Sequence, residues 1–226
     1  MNPILSIETS GNICSVAVHN DGSLLGIHEF ALQKSHSRLL NVSIEQLLKS
    51  LDISLKDLSA IAVSKGPGSY TGLRIGVSTA KGLCYGLDLP LISVNTLHAL
   101  ALQYSSFNFL NAHICPMLDA RRMEVYSCLF APDLSIVNET TAIVLTENTF
   151  VDILAKYKVA FIGDGANKFR NLINNPNAYF GINISVSAKQ IGEIASAKFL
   201  KNEFEDVAYF EPYYLKDFVS TSTLKK

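Results

Sequence analysis

Residues Lys65–Gly86 read KGPGSYTGLRIGVSTAKGLCYG, a glycine-rich turn that runs into a helical pattern. A segment of this kind can cradle a phosphate, raise a nucleophile or offer a surface to another protein. The spacing of Gly66, Gly68 and Gly72 decides against the first two. A dinucleotide fingerprint needs a third glycine where Thr71 stands, and a Walker A loop needs glycine at Thr71 or at Leu73. A hydrolase elbow needs glycine two residues either side of its serine, but Ser69 is flanked there by Pro67 and Thr71. Ser69 or Thr71 is better suited to cap the helix by accepting from its first free N–H groups.

The helix itself carries Gly72, Gly76, Ala80 and Cys84 at successive four-residue spacing, with Gly82 and Gly86 nearby. Each interior glycine costs about 1 kcal/mol of helix stability relative to alanine. A row of small residues lets another backbone come close along a helical ridge. That backbone is either the chain's own sheet or a helix across a subunit boundary, and spacing leaves both open.

Elsewhere the chemistry-bearing residues are scattered. Glu8-Thr9-Ser10 ends the first apolar strand, and Asp119 ends a later one. His19, His28, His98 and His113 have no partners at ligand spacing, and His36, between Ser35 and Ser37, reads as a helix start. No Ser/His/Asp or Cys/His constellation assembles from motif evidence. Arg121-Arg122 suits a phosphate or a partner's carboxylate, or two solvated arginines.

The chain has 226 residues, 48% apolar and 17% charged, with a formal net charge of −1. That is ample for a packed core, and it offers no broad electrostatic footprint for nucleic acid or an anionic membrane. A mean hydropathy of +0.23 hints at apolar surface for a partner. Cys14, Cys84, Cys115 and Cys128 lack CxxC spacing and read as reduced core residues. No secretory signal or membrane-length apolar run is legible, so a cytoplasmic protein is expected.

The elements that must position these residues repeat. Strands at Pro3–Ile7, Cys14–His19 and Leu24–Phe30 precede a helix from Ser35, a strand at Ala60–Ser64, the Gly72–Tyr85 helix closed by Gly86, a strand at Leu91–Val94 and a helix from Thr96. The second half follows with strands at His113–Asp119, Glu124–Ala131 and Leu134–Glu139 and a helix at Thr146–Tyr157. The strand Val159–Gly165, a helix at Asn167–Ile173, the strand Ile182–Val186 and the helix Ala188–Asn202 complete it. Glycine turns at Gly66–Gly68 and Gly163–Gly165 stand at matching places. A duplicated β-β-β-α-β-α core, each copy extended by a further strand or helix, is the layout of the actin-like ATPase (ribonuclease H-like) fold. The expected lobes are 1–104 and 105–226, with the last helix and tail folding back on the first lobe.

GPGSYTGLRIG (Gly66–Gly76), ILSIETS with CSVAV (Ile4–Val18), HSRLL (His36–Leu40), LDARRMEVY (Leu118–Tyr126) and EPYYLKD (Glu211–Asp217) closely resemble the bacterial TsaB (YeaZ) family. The resemblance spans most of the chain. It implies a non-catalytic subunit for tRNA threonylcarbamoyladenosine formation. Its paralogue TsaD transfers threonylcarbamoyl from threonylcarbamoyl-AMP to N6 of adenosine 37 in tRNAs reading codons that begin with A. A small ATPase, TsaE, joins the pair, and tRNA is met through the complex. The resemblance further implies a homodimer when the chain is alone, no membrane contact, and no cofactor of its own. ADP or ATP would sit at the interface with the catalytic paralogue.

The partner surface implied is the first two helices, with Leu39, Leu40, Leu47, Leu48, Gly72, Arg74, Gly76 and Ala80. On that view Gly76→Leu would weaken association and leave the monomer's melting temperature intact. Glu8, Thr9 and Ser10 would be a vestigial phosphate loop. The family has aspartate where this chain has Glu8, one methylene longer. The catalytic paralogue's metal-binding H-x-x-x-H falls here on Thr96 and Leu100, which are poor ligands. The alternatives are an independent actin-like ATPase or kinase, and a glycoprotease-like peptidase.

Overall fold

The computed structural model describes residues 2–31, 36–181 and 184–216. The first sheet is built from β1 (Pro3–Glu8), β2 (Cys14–Asn20), β3 (Ser23–Phe30), β4 (Ala60–Gly66) and β5 (Leu91–Asn95), in the order β3-β2-β1-β4-β5. The second is built from β6 (His113–Asp119), β7 (Glu124–Phe130), β8 (Ile136–Val144), β9 (Val159–Ile162) and β10 (Ala178–Phe180), in the order β10-β9-β6-β7-β8. The two orders are the same pattern. The first strand of each copy pairs antiparallel with its successor and parallel with the fourth. This is a duplicated α/β ribonuclease H-like fold. Both first strands end on their acid, Glu8 and Asp119, so both acids sit at carboxyl ends of central strands, where loops converge.

The helices are α1 (His36–Ser50), α2 (Tyr70–Leu87), α3 (Thr96–Ser105), α4 (Val151–Leu154), α5 (Ala166–Arg170) and α6 (Ala188–Leu200). In α1 the spacing of Leu40, Ile44, Leu47 and Leu48 puts all four on one buried stripe. Burying each such side chain contributes roughly 1.5–3 kcal/mol. They pack with Val77, Ala80 and Cys84 of α2 against Leu5, Ile7, Val16 and Val63 of the sheet.

The sheet's opposite face is covered by an exchange of helices. α6, late in the chain, lies on β1, β2 and β5, while α3 lies on β6. Ile4, Ala62 and Ile92 of the first sheet, Ile114 and Ile162 of the second, and Leu97, Ile191 and Ala195 of these helices form one cluster. A third cluster, centred on Phe161 and Phe169, fills the far side of the second sheet.

Several boundaries differ from expectation. The third strand of the second copy runs over Ile136–Val144, because Leu134 takes a left-handed turn at φ 68° before it. The helix expected over Thr146–Tyr157 shrinks to Val151–Leu154, since Phe150 at φ 65° stands at its N-cap. The helix expected at Asn167–Ile173 is the short α5. The last strand is Ala178–Phe180; of the segment expected, residues 182 and 183 lie outside the described residues and 184–186 form no strand. α2 ends not at Gly86 but at Leu87, with Asp88 as a left-handed cap at φ 54°. Ser35 and Asp217 lie outside the described residues. No described helix is long and apolar enough to cross a membrane.

Candidate functional site

The glycine turn and the loop after β1 are locked into one another. Gly66 has φ +112°, a conformation side chains resist. Ser69 N donates to Ser10 O at 2.7 Å, and Thr9 Oγ1 donates to Gly72 O at 2.8 Å. Ser69 caps α2, its side chain accepting from Gly72 N. A Cβ on Gly68 would lie 2.6 Å from Ser10 O. A Cβ on Gly72 would run into the Thr9 carbonyl, and one on Gly76 into Thr9 Oγ1.

Glu8 is wholly buried, and its Oε1 accepts from Ser10 N at 2.5 Å and Ser10 Oγ at 2.6 Å. Its Oε2 has no partner among the described residues. Burial pushes the Glu8 carboxyl above its usual range, against the pull of the hydrogen bonds from Ser10. Thr9 and Ser10 are buried as well. The glycine turn thus packs directly on the loop after β1, and Glu8-Thr9-Ser10 acts as an internal brace.

This corrects the partner surface. Gly72, Gly76 and Ala80 face the chain's own β1 loop and sheet, and Leu40, Leu47 and Leu48 belong to its core. Gly76→Leu would drive a bulky side chain into Thr9, so the folded monomer itself would suffer. Of the eight residues, Leu39 is half-buried and Arg74 is exposed, its guanidinium 4.4 Å from the Tyr70 ring centre. Residues two apart on a helix are turned by about 200°. A second small-residue row, Ser78, Gly82 and Gly86, therefore lies opposite the first and faces outward, with nothing within 4 Å of a Cβ on Gly82 or Gly86. Tyr85 beside it is 88% exposed. Next to this face an open groove of about 570 Å³ runs between α1 and α2, floored by Ile44, Leu48, Ile53, Leu55 and Leu83. Gly82 and Gly86 were legible in the sequence; which row faced out was not.

Across the molecule, Asp119, Asp164 and Lys168 meet at the ends of β6 and β9. Asp119 Oδ1 accepts from Lys168 Nζ at 2.6 Å and from Arg121 N at 2.6 Å, while Asp119 N donates to Asp164 Oδ1 at 2.9 Å. Burial chiefly raises the Asp164 carboxyl, with Asp119's charge adding to it. Arg121 and Arg122 are exposed at positive φ.

The histidines do not converge. His98 stacks on Phe130 at 5.4 Å, with burial holding its pKa down, and His36 Nε2 is 3.3 Å from Ile13 O. Thr96 and Leu100 are both buried in α3. Among the described residues, no three His, Cys, Asp or Glu side chains are grouped to hold a metal ion. All four cysteines are free and buried. Burial pushes Cys14 and Cys128 up to about 11 and Cys84 and Cys115 up to about 12, so they stay thiols at neutral pH.

Comparison with known proteins places the fold in a family. Residues 17–222 match the family model described as TsaD: tRNA N6-adenosine threonylcarbamoyltransferase. The chain is 33% identical over 221 residues to the tRNA threonylcarbamoyladenosine biosynthesis protein TsaB of Bacillus subtilis, covering 94% of this chain and 93% of that protein. It is 30% identical over 227 residues to the same-named protein of Escherichia coli, covering 98% and 97%. The solved structure of YeaZ from Pseudomonas aeruginosa has the same fold at TM-score 0.84 and 24% identity, covering 95% of this chain and 100% of that one. The chain belongs to the TsaB (YeaZ) family of tRNA threonylcarbamoyladenosine biosynthesis proteins.

Proposed function

We propose that this chain is the non-catalytic subunit of a tRNA threonylcarbamoyltransferase, docking on its catalytic relative TsaD through the outward faces of α1 and α2. The observation that carries the reading is the split character of α2. Its inner small-residue row is spent on bracing the Glu8 loop. Its outer row, with Tyr85 and the neighbouring apolar groove, is open. A helix with small residues outward admits a second helix at close range.

On this reading TsaD transfers threonylcarbamoyl to N6 of adenosine 37 in tRNAs that read codons beginning with A, and TsaE joins the pair. Any ADP or ATP sits at the boundary between this chain and TsaD. With a net charge of −1, the chain alone holds tRNA weakly.

The test is reconstitution of tRNA modification from purified TsaD, TsaE and the remaining components, with and without this chain. Modification should require it, while the chain by itself should hydrolyse ATP no faster than background. Undiminished modification in its absence overturns the proposal. ATP turnover by the purified chain that is lost in Glu8→Ala would favour an independent ATPase.

A further inference from the structure

The hairpin that joins β6 to β7 is built against backbone preference. Arg121 and Arg122 at its tip have φ of 69° and 49°. Two successive residues with side chains thus stand in the left-handed region that such residues avoid. The turn is nonetheless closed by hydrogen bonds. Ala120 N donates to Glu124 O at 3.1 Å, Glu124 N donates to Arg121 O at 3.2 Å, and Arg121 N donates to Asp119 Oδ1 at 2.6 Å. Backbone strain persists only where the surroundings impose it, and it collects at turns that hold ligands. The acids beside the tip are already matched by other groups. Asp119 Oδ1 also accepts from Lys168 Nζ at 2.6 Å, Glu124 pairs with Lys216, and Asp164 Oδ1 accepts from Asp119 N at 2.9 Å. Neither arginine pairs with an acid among the described residues, and both are exposed. Two guanidinium-bearing residues therefore stand side by side on a hydrogen-bonded tip with their charge unneutralised.

We propose that Arg121 and Arg122 form a contact for the phosphate backbone of RNA, which orients tRNA on this chain. The contact rests on the reading of the chain as a subunit of a tRNA-modifying transferase. A guanidinium fork matches two phosphate oxygens with parallel N–H groups. A phosphodiester chain offers successive anions to two neighbouring arginines, whereas a single protein carboxylate offers one. Contacts of this kind fix register and orientation without reading sequence. With only two cations on the tip and a net charge of −1 overall, the turn positions RNA and does not supply most of the grip. A preformed tip suits that task, because little backbone freedom is lost when RNA arrives.

Two titrations of the full-length chain test it. In the first, tRNA is added to the isotope-labelled chain alone at low salt, with poly-glutamate as a second polyanion, and amide signals are followed by NMR. Shifts with tRNA should gather at residues 119–125 and vanish in the Arg121→Gln, Arg122→Gln double variant. Shifts that miss the turn overturn the contact. Equal shifts with poly-glutamate overturn the RNA assignment and point to a partner's carboxylates. In the second, tRNA binding to the complex with TsaD is measured across a salt series. Each phosphate contact contributes about 0.7–0.9 to the slope of log affinity against log salt, so the double variant should flatten the slope by about 1.5. Its affinity for tRNA at low salt should fall about tenfold or more, as expected for lost charged hydrogen bonds. The Arg121→Lys, Arg122→Lys pair should keep the slope, and melting temperature and affinity for TsaD should hold in both variants. An unchanged slope in the glutamine variant overturns the contact. Failure of the wild-type chain to bind TsaD would sink the subunit reading, while the first titration still decides the turn.

Discussion

Glycines that look alike in the sequence are separated by what stands opposite them. A Cβ on Gly72 meets the Thr9 carbonyl, whereas one on Gly82 meets nothing within 4 Å. Gly72→Ala should lose about 1–3 kcal/mol in urea unfolding, the usual cost of overpacking. Gly82→Ala should gain up to about 1 kcal/mol from helix propensity. Equal effects at the two positions would contradict the packing.

Glu8 gives a second residue-scale test. Its carboxyl is raised in the folded state above the ordinary 4.5, so the native chain binds more protons there than the unfolded chain does. The stability this group contributes is full below pH 4.5 and falls as pH rises toward the raised folded value. Glu8→Gln cannot ionise and lacks this loss. The variant's stability relative to wild type should therefore improve between pH 5 and pH 8 in urea titrations. A constant difference across that window would count against the buried-acid account.

Elements act here through their faces. α2 packs one small-residue row on the β1 loop and turns the other to solvent, while α1 buries Leu40, Leu47 and Leu48 and exposes Asn41, Val42 and Glu45. Docking should therefore be sensitive to Tyr85 and Gly82 and not to Gly76. Tyr85→Glu and Gly82→Trp should keep the melting temperature within about 2 °C, as exposed substitutions generally do. Affinity for TsaD, read by calorimetry, should fall by roughly tenfold or more, which corresponds to about 1.4 kcal/mol or more of lost contact. Gly76→Leu should instead lower the melting temperature, so that any loss of binding follows loss of fold. Unaltered affinity in both outward variants places the docking face elsewhere.

The two lobes complete each other. Ile4, Ala62 and Ile92 of the first sheet are covered by α6, which lies nearly a hundred residues beyond that sheet's last strand. Residues 1–110 alone would leave this face open to water. Burial is worth about 25 cal/mol per Å² of apolar surface, so its loss removes much of the marginal stability of a domain. The fragment should show no cooperative thermal transition by circular dichroism, while the full chain melts in one. A sharp transition in the fragment would mean that the first lobe is self-sufficient.

Much of this was written in the sequence. The apolar strand runs, the acids closing β1 and β6 and the matched glycine turns follow from local backbone rules, and they point to a duplicated α/β fold before any contact is known. A cap at Ser69 or Thr71 and the buried cysteines were legible for the same reason, since each depends on near neighbours or on apolar surroundings; the structure chose Ser69. The family too was legible, in the run Gly66–Gly76. What periodicity could not choose was which of two opposed small-residue rows on α2 met the sheet. That is settled by Thr9, more than sixty residues away, whose hydroxyl and carbonyl occupy the space at Gly72 and Gly76. The short α4, the displaced β8 and the return of residues 205–216 across both lobes were likewise hidden. Left-handed residues such as Leu134 and Phe150 carry no local signal of their conformation, and Lys65, Lys81 and Glu124, which meet Tyr213, Phe210 and Lys216, are brought to them only by tertiary packing.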